Sequence, residues 1–307
     1  MQYRKPSLSL EQQALRLLDR GLLADKDQLI RLLQSVSYYR LSGYLFPFKH
    51  QNETYQPGTR IESILAIYQL DHELRMLILD AVEAIEIHFR SQLAYHFSQK
   101  HGAFSYLQRD LFPGFNPRYG DYERWVRKLE EQMKRSRTIR GNEDFVRHFF
   151  QKYGDIHNIL PIWMAIELMD FGSTLSFYRG VEPDIRKRVA ASFSQPEELI
   201  GNWLLVLNSV RNRCAHHARL WNWTMGNKLK LPNKRKYPEW YHKHLDTARI
   251  GTVLLVISYL LGSITQKDSW PGRAEALVQR FPASELRRIG LAPGWNDSLL
   301  WQHIAGA

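Results

Sequence analysis

The sequence predicts an all-α fold, and three observations carry that prediction. Ile61 to Lys100 runs about forty residues without Gly or Pro. Apolar residues in that run recur every three or four positions, the spacing of one helix face. No stretch of useful length alternates apolar and polar residues as a half-buried strand would, and there is no internal repeat or low-complexity tract.

Taken in order, residues 8–35 read as two short helices, split near Gly21 and restarted by the acidic Asp25–Asp27 stretch. SYYRLSGYLFPF (37–48) is aromatic-rich with Gly43 and Pro47, and reads as a packed turn. Ile61–Lys100, rich in Ala, Leu and Glu, reads as one long helix or two meeting end to end. Residues 103–120, with Gly, Pro and aromatics, mark a loop, and Asp121–Arg137 and Asp144–Lys152 follow as basic surface helices. Leu160–Phe177, Pro183–Phe193 and Leu199–Leu220 read as three further helices and Thr247–Ile264 as a buried one. The last forty residues, with Pro271, Pro282 and Pro293, read as short turns and helical fragments. The expected organisation is an N-terminal helical and aromatic segment (1–60), a helical domain (61–265) with a basic insertion at about 118–152, and a turn-rich tail (266–307) packed on the core.

Composition narrows the function classes. The 307 residues suit one large or two closely packed domains, and 44% hydrophobic with 24% charged residues excludes a disordered chain. A net charge of +11 and a pI near 9.7 point to a polyanionic partner, nucleic acid or an anionic membrane surface. The single Cys214 excludes an intramolecular disulfide and fits a reducing cytosol. MQYRKPSLSLEQQ at the start lacks the apolar core of a signal peptide, and the run Ile250–Ile264 falls short of the roughly 20 residues a membrane span needs. A soluble, cytoplasmic protein with no membrane partner is expected.

WLLVLNSVRNRCAHHARLWN (203–222) holds the chemistry. On a helical wheel Trp203, Leu207, Val210, Cys214, Ala218 and Trp221 form the apolar stripe, with Ser209, Asn212, Arg213 and His216 opposite. Arg211 is the misfit, about 50° from the centre of the stripe. A charged guanidinium there must find an acceptor or reach out along its stem. Arginine offers a donor fork that matches phosphate oxygens, and histidine can take or give a proton near neutrality. Those are the groups that RNA cleavage by its own 2′-OH requires, without metal. Arg211 and His216 stand about 140° apart on an ideal helix, so convergence needs a helix end, a kink or a second copy. The spacing alone is unspecific. With 28 Arg and 12 His, about three matches arise by chance, and the chain has three: Arg90–His96, Arg211–His216 (or His217) and Arg235–His242. The structural alternative is a helix C-terminus whose cations favour the dipole.

Context separates the second match from the others. RNRCAHHARLWN (211–222) closely resembles the signature of Abi-like abortive-infection proteins of the AbiD/AbiF type, placed in the HEPN superfamily. SYYRLSGYLFPF (37–48), IYQLDHELRMLILDAVEAIEIHFRSQLAY (67–95), LPIWMAIELMDFGSTLSFY (160–178) and RIGLAPGWNDSLLW (288–301) resemble further blocks of that family, in the same order. The resemblance implies a helical HEPN-type bundle with additional N-terminal and peripheral helices. It also implies a bacterial, metal-independent endoribonuclease that leaves 2′,3′-cyclic phosphate ends. Arg211 would stabilise the phosphate, His216 would act as general acid or base and Asn212 would orient the site; His217 matches the family's doubled histidine, so which is primary stays open. Two motifs usually pair across a homodimer or between domains, and some members are encoded beside a small non-coding RNA that restrains them. No cofactor is implied.

Other residues carry weaker readings. Glu83, Glu86 and Arg90 share a helix face, and Glu86, Arg90 and His96 could supply a second half-site within one chain. Against that stands a plain Glu86–Arg90 ion pair, worth a few tenths of a kcal/mol. Arg235–His242 lies in a stretch with Pro232 and Pro238, where helical placement fails. From Arg211 to Lys243 there are nine Lys or Arg against the single Glu239. Arg213, Lys228, Lys230, Lys234, Arg235 and Lys236 are therefore candidate RNA contacts beside the motif, with Trp221, Trp223 and Tyr237 to stack on bases. The segment 118–152 is less basic, ten against six. No phosphate loop, nucleophile elbow or zinc spacing is present, and His242 with His244 lacks a third metal ligand, so no metal is expected. The alternative to an RNA-cleaving toxin or defence effector is a non-catalytic HEPN-fold RNA-binding module.

Overall fold

The computed structural model describes residues 2, 6–137, 144–241, 245–264, 269–292 and 294–297, and thirteen α-helices carry its regular structure. Local capping starts most of them. Ser9 opens α1 (Leu10–Asp19) by accepting the Gln12 N–H while the Gln12 side chain accepts from the Ser9 N–H. Asp25 caps α2 (Lys26–Ser35) by accepting the Gln28 N–H. The expected turn at 37–48 is instead a helix, α3 (Tyr38–Leu45), closed by a 3-10 turn at Phe46–Phe48. Ser37 caps it, and Leu41, Tyr44 and Leu45 on one face bury themselves, which outweighs the cost of an interior Gly43. Pro47 only ends it.

The long helix is one piece. α4 (Ile61–His101) spans 41 residues, about 60 Å at 1.5 Å per residue. The loop that follows contains only single 3-10 turns, as its Gly and Pro content predicts. Next come α5 (Asp121–Ser136) and α6 (Asp144–Tyr153). The helix expected over Leu160–Phe177 is interrupted: α7 (Ile162–Ala165) runs into a 3-10 turn at Ile166–Leu168, and Met169 and Asp170 are extended. Asp170 then caps α8 (Phe171–Gly180) by accepting the Ser173 N–H at 2.7 Å. No Gly or Pro marks this break; the cap itself makes it.

Pro183 occupies the first turn of α9 (Pro183–Ala191), where its missing N–H costs nothing. α10 (Glu197–Ala215) stops five residues short of the expected Leu220. α11 (Ile250–Ile264) is the expected buried helix. The C-terminal part is more regular than its prolines suggest, because Pro271 sits in the first turn of α12 (Trp270–Gln279) and Pro282 immediately precedes α13 (Ala283–Ile289). They start helices here and do not break them.

α4 is the axis of the molecule, with α3, α7, α8, α9, α10, α11 and α12 packed on it. One continuous core joins residues from Ala14 to Trp295. α5 lays Trp125, Leu129 and Met133 toward that core and packs on α8. Among the described residues no helix is long and apolar enough to cross a membrane.

Candidate functional site

α10 ends in a closed turn. The His216 N–H still donates to Asn212 O, at 3.0 Å. His217 then turns left-handed at φ 56°, its N–H donating to Cys214 O, and the Ala218 N–H reaches back to Arg213 O, each at 2.9 Å. These two bonds are the paired closure that usually places glycine in the left-handed position. Here histidine occupies it, so the sequence shows no stop signal and helical periodicity overruns to Leu220. The helix end allowed for from the wheel is therefore present, and both His216 and His217 are exposed.

The chain beyond is fixed from below by a buried carboxylate. Asp71 of α4, fully buried, accepts the Leu220 and Trp221 N–H groups on Oδ1, at 3.1 and 2.7 Å. Its Oδ2 accepts from the Tyr44 hydroxyl and from Nη1 of the equally buried Arg75, at 2.5 Å each. Three further groups hold the turn from the sides. Arg40 donates to His217 O, Arg219 donates to Gly43 O, and Trp221 stacks between Tyr44 and Phe48. Asn222, left-handed at φ 54°, donates its N–H to Arg288 O and accepts from Arg249 on its side chain. α3, α4 and α13 thus converge on one turn.

Arg211 has the ionic partner its wheel position demands. Its Nε lies 3.9 Å from Oε2 of Glu86 on α4, and Nη1 is 3.5 Å from Asn212 Oδ1. Glu86 is buried and also takes Nη2 of Arg90, which in turn donates to Met169 O. Burial pushes the Glu86 carboxyl above the usual carboxylate range, against the pull of Arg90 and Arg211. Glu86 of the suggested half-site therefore reaches Arg211, and Arg90 is tied to the motif only through Glu86. His96 does not join them. It stands six residues past Arg90, about 9 Å further along α4 and about 120° around it, and burial and the nearby Arg188 of α9 lower its pKa.

The model of the Abi-like protein family matches residues 31–222, well over half of the chain. The chain belongs to that family. Membership supports a role in abortive infection. Neither the search of curated proteins nor that of solved structures gave a match. In this Abi-like chain the matched span closes at Asn222, the last residue of the turn just described, and does not extend to the 288–301 segment.

The basic residues of the Abi-like chain lie elsewhere than their sequence neighbourhood suggests. After Asn222 the backbone doubles back along α10: Lys228 O accepts from Asn202, the Lys230 N–H donates to Asn202 Oδ1 at 2.7 Å, and the Trp203 indole donates to Lys230 O at 2.8 Å. The stretch expected beside the motif therefore covers the opposite end of the helix. Lys230 pairs with Glu198, Lys234 and Lys236 lie over the Tyr241 and Tyr237 rings, and Lys228 and Arg235 are exposed. Arg213 is half-buried, stacked 4.3 Å over Trp223 and donating to Arg219 O. Trp221 is fully buried, which removes it from the base-stacking set. Burial pushes the Cys214 thiol up to about 12. His242, Lys243 and His244 lie outside the described residues. Among the described residues no group of His, Cys, Asp or Glu could hold a metal ion.

Sequence reasoning missed Asp71, Arg75, Tyr44, Arg40 and Arg219. One signal was available: Asp71 and Arg75 fall at i,i+4 within the apolar stripe of α4 that includes Ile67, Leu74 and Ile78. Two opposite charges in a buried stripe mark a paired, structural role.

Proposed function

We propose that this Abi-like protein is a bacterial, metal-independent endoribonuclease acting in abortive infection, with Arg211, Asn212 and His216 at its centre. The observation that carries the reading is the end of α10. A buried Glu86 anchors Arg211, while Asn212 and His216 stand exposed on a turn pinned from three sides. In the reaction the 2′-hydroxyl loses its proton and its oxygen bonds to phosphorus. The bond from phosphorus to the 5′-oxygen breaks, and that oxygen takes up a proton. The products carry a 2′,3′-cyclic phosphate and a free 5′-hydroxyl. His216 moves one of the two protons, Arg211 faces the charge gathering on the phosphate, and Asn212 orients the pair. His216 is preferred to His217 because it shares the exposed α10 face with Asn212, whereas His217 sits in the left-handed closing position.

A second proton-transfer group completes the centre, and a homodimer supplies it by bringing two copies of α10 together about a two-fold axis. Completion within one chain has the arginine half in Arg90 but lacks the histidine, since His96 stands about 15 Å along α4 from Glu86. RNA is the substrate, and a small non-coding RNA is the partner that would restrain the enzyme in the cell. The test is cleavage of RNA by purified protein in EDTA. Arg211→Ala or His216→Ala should lower the rate by roughly 10²–10⁴ with the fold intact. Metal dependence, or full activity of the His216 variant, overturns the assignment; tight RNA binding without cleavage by the wild type makes the protein a binding module instead.

A further inference from the structure

A cavity of about 930 Å³ lies between α5, α8 and the first half of α10. Its walls include Arg124, Trp125 and Lys128 from α5, Gly172, Ser173 and Ser176 from α8, and Gly201, Asn202 and Leu205 from α10. Five cations line it (Arg124, Lys128, Arg179, Arg186 and Lys230) against three carboxylates, Asp121, Glu197 and Glu198. Four of the cations hold ion pairs: Arg124 with Asp121, Lys128 with Asp170, Arg186 with Glu197 and Lys230 with Glu198. All but the half-buried Arg186 pair lie at the surface, where such pairs are weak and exchange partners at little cost. Gly172, Ser173, Ser176 and Gly201 are among the lining residues, so a planar group can approach the backbones of α8 and α10 there.

The direction of the groove gives it a use. On α10, Leu205, Asn212 and His216 are separated by seven and four residues, which puts them within about 20° of one line along the helix. The wall of the groove and the exposed edge of the proposed centre are therefore one face. α8 runs antiparallel to α10: Tyr178 stands beside Gly201, and Gly172 beside Asn208. α8 begins at Phe171 with its Asp170 cap, so past that point α10 emerges uncovered with Asn212 and His216 exposed. Lys128 stands at this mouth, paired to Asp170, and Lys230 stands at the far end, where the basic stretch 228–236 crosses Asn202. From Asn202 to Asn212 the helix rises about 15 Å.

We propose that this groove is the track for single-stranded RNA, holding the nucleotides on one side of the scissile phosphate. It rests on the reading of Arg211 and His216 as a ribonuclease centre and adds where the strand lies. Phosphates displace carboxylates at Lys128 and Lys230, bases lie over the small residues of α8 and α10, and the occupied length is on the order of four nucleotides, at the short end of single-strand site sizes.

The experiment uses 2′-O-methyl oligoribonucleotides of two, four, six and eight residues, which bind without being cut, together with a cleavable diribonucleotide. Affinity of the wild type should rise roughly tenfold or more from two to about six nucleotides and then level off, as successive phosphates enter the track. Gly201→Trp fills the groove, since a Cβ at Gly201 meets only Tyr178 at an ordinary 3.8 Å. That variant should lose the gain with length. Lys128→Ala and Lys230→Ala should each flatten the salt dependence by about 0.7 in slope, one phosphate contact on a single strand. Affinity independent of length, or wild-type length dependence in Gly201→Trp, overturns the track. Length-dependent binding that Gly201→Trp abolishes, with no cleavage of any RNA, upholds the track and overturns the ribonuclease centre.

Discussion

At the scale of single residues, the informative position is His217. It holds a left-handed backbone that costs a residue with a Cβ about 1–2 kcal/mol and glycine little. His217→Gly should therefore raise unfolding stability by about 1 kcal/mol in urea titrations, as glycine suits this closing position. With His216 as the acting histidine, the same variant should keep its cleavage rate within a few-fold of wild type. A collapse in rate as deep as that of His216→Ala would transfer the proton-moving role to His217. Arg211 was legible because a charge near an apolar stripe must have a partner. The partner was not fully legible, since Glu86 also suits an ordinary i,i+4 pair with Arg90. Asp71 was harder still. Two of its partners are backbone N–H groups about 150 residues away in sequence, and no side-chain pattern announces them.

Among the elements, α8 and α10 decide the shape of the site, and the start of α8 rests on Asp170. Burial alone would raise the Asp170 carboxyl; Lys128 and the Ser173 N–H outweigh it and hold the group below its ordinary value of 3.8. A folded-state value lower than the unfolded one means stability that is present above about pH 4 and lost as pH falls through the lowered value. Asp170→Ala should therefore cost about 1 kcal/mol near neutrality, as loss of an N-cap does. Urea titrations should show the gap to wild type closing toward pH 3, and a gap that stays constant with pH would contradict the assignment. Element by element, the long α4 was plain because forty residues without Gly or Pro admit little else. α3 was hidden by Gly43 and Pro47, and the break before α8 by the lack of either. The overrun of α10 has the same origin as the strain at His217: a helix stop made without glycine.

Across the whole molecule, segments distant in sequence meet at one turn. The 37–48 segment, Asp71 and the 216–222 turn pack together, which gives a physical reason for residues 31 to 222 to be matched as one unit, and Arg288 joins them from outside that span. The sequence displayed these segments separately, and only the fold shows that α3 is the clamp for the end of α10. The location of the basic stretch was misread for the complementary reason, since adjacency along the chain ignores a backbone that doubles back. The proposed two-fold assembly makes its own prediction. Mixing Arg211→Ala with His216→Ala protein should recover part of the activity if both chains feed one cleft, and the protein should have the mass of a dimer in solution. A fully active monomer would contradict it.

The central claim is that RNA is cut by its own 2′-hydroxyl at the end of α10. Its most direct test is an RNA that the protein cleaves at one mapped phosphate, resynthesised with a single 2′-deoxy nucleotide immediately 5′ of that phosphate and incubated in EDTA. The account predicts a 2′,3′-cyclic phosphate end from the unmodified RNA and no cut at that phosphate in the deoxy version. Continued cleavage of the deoxy bond, or a product with a linear phosphate formed directly, would contradict it.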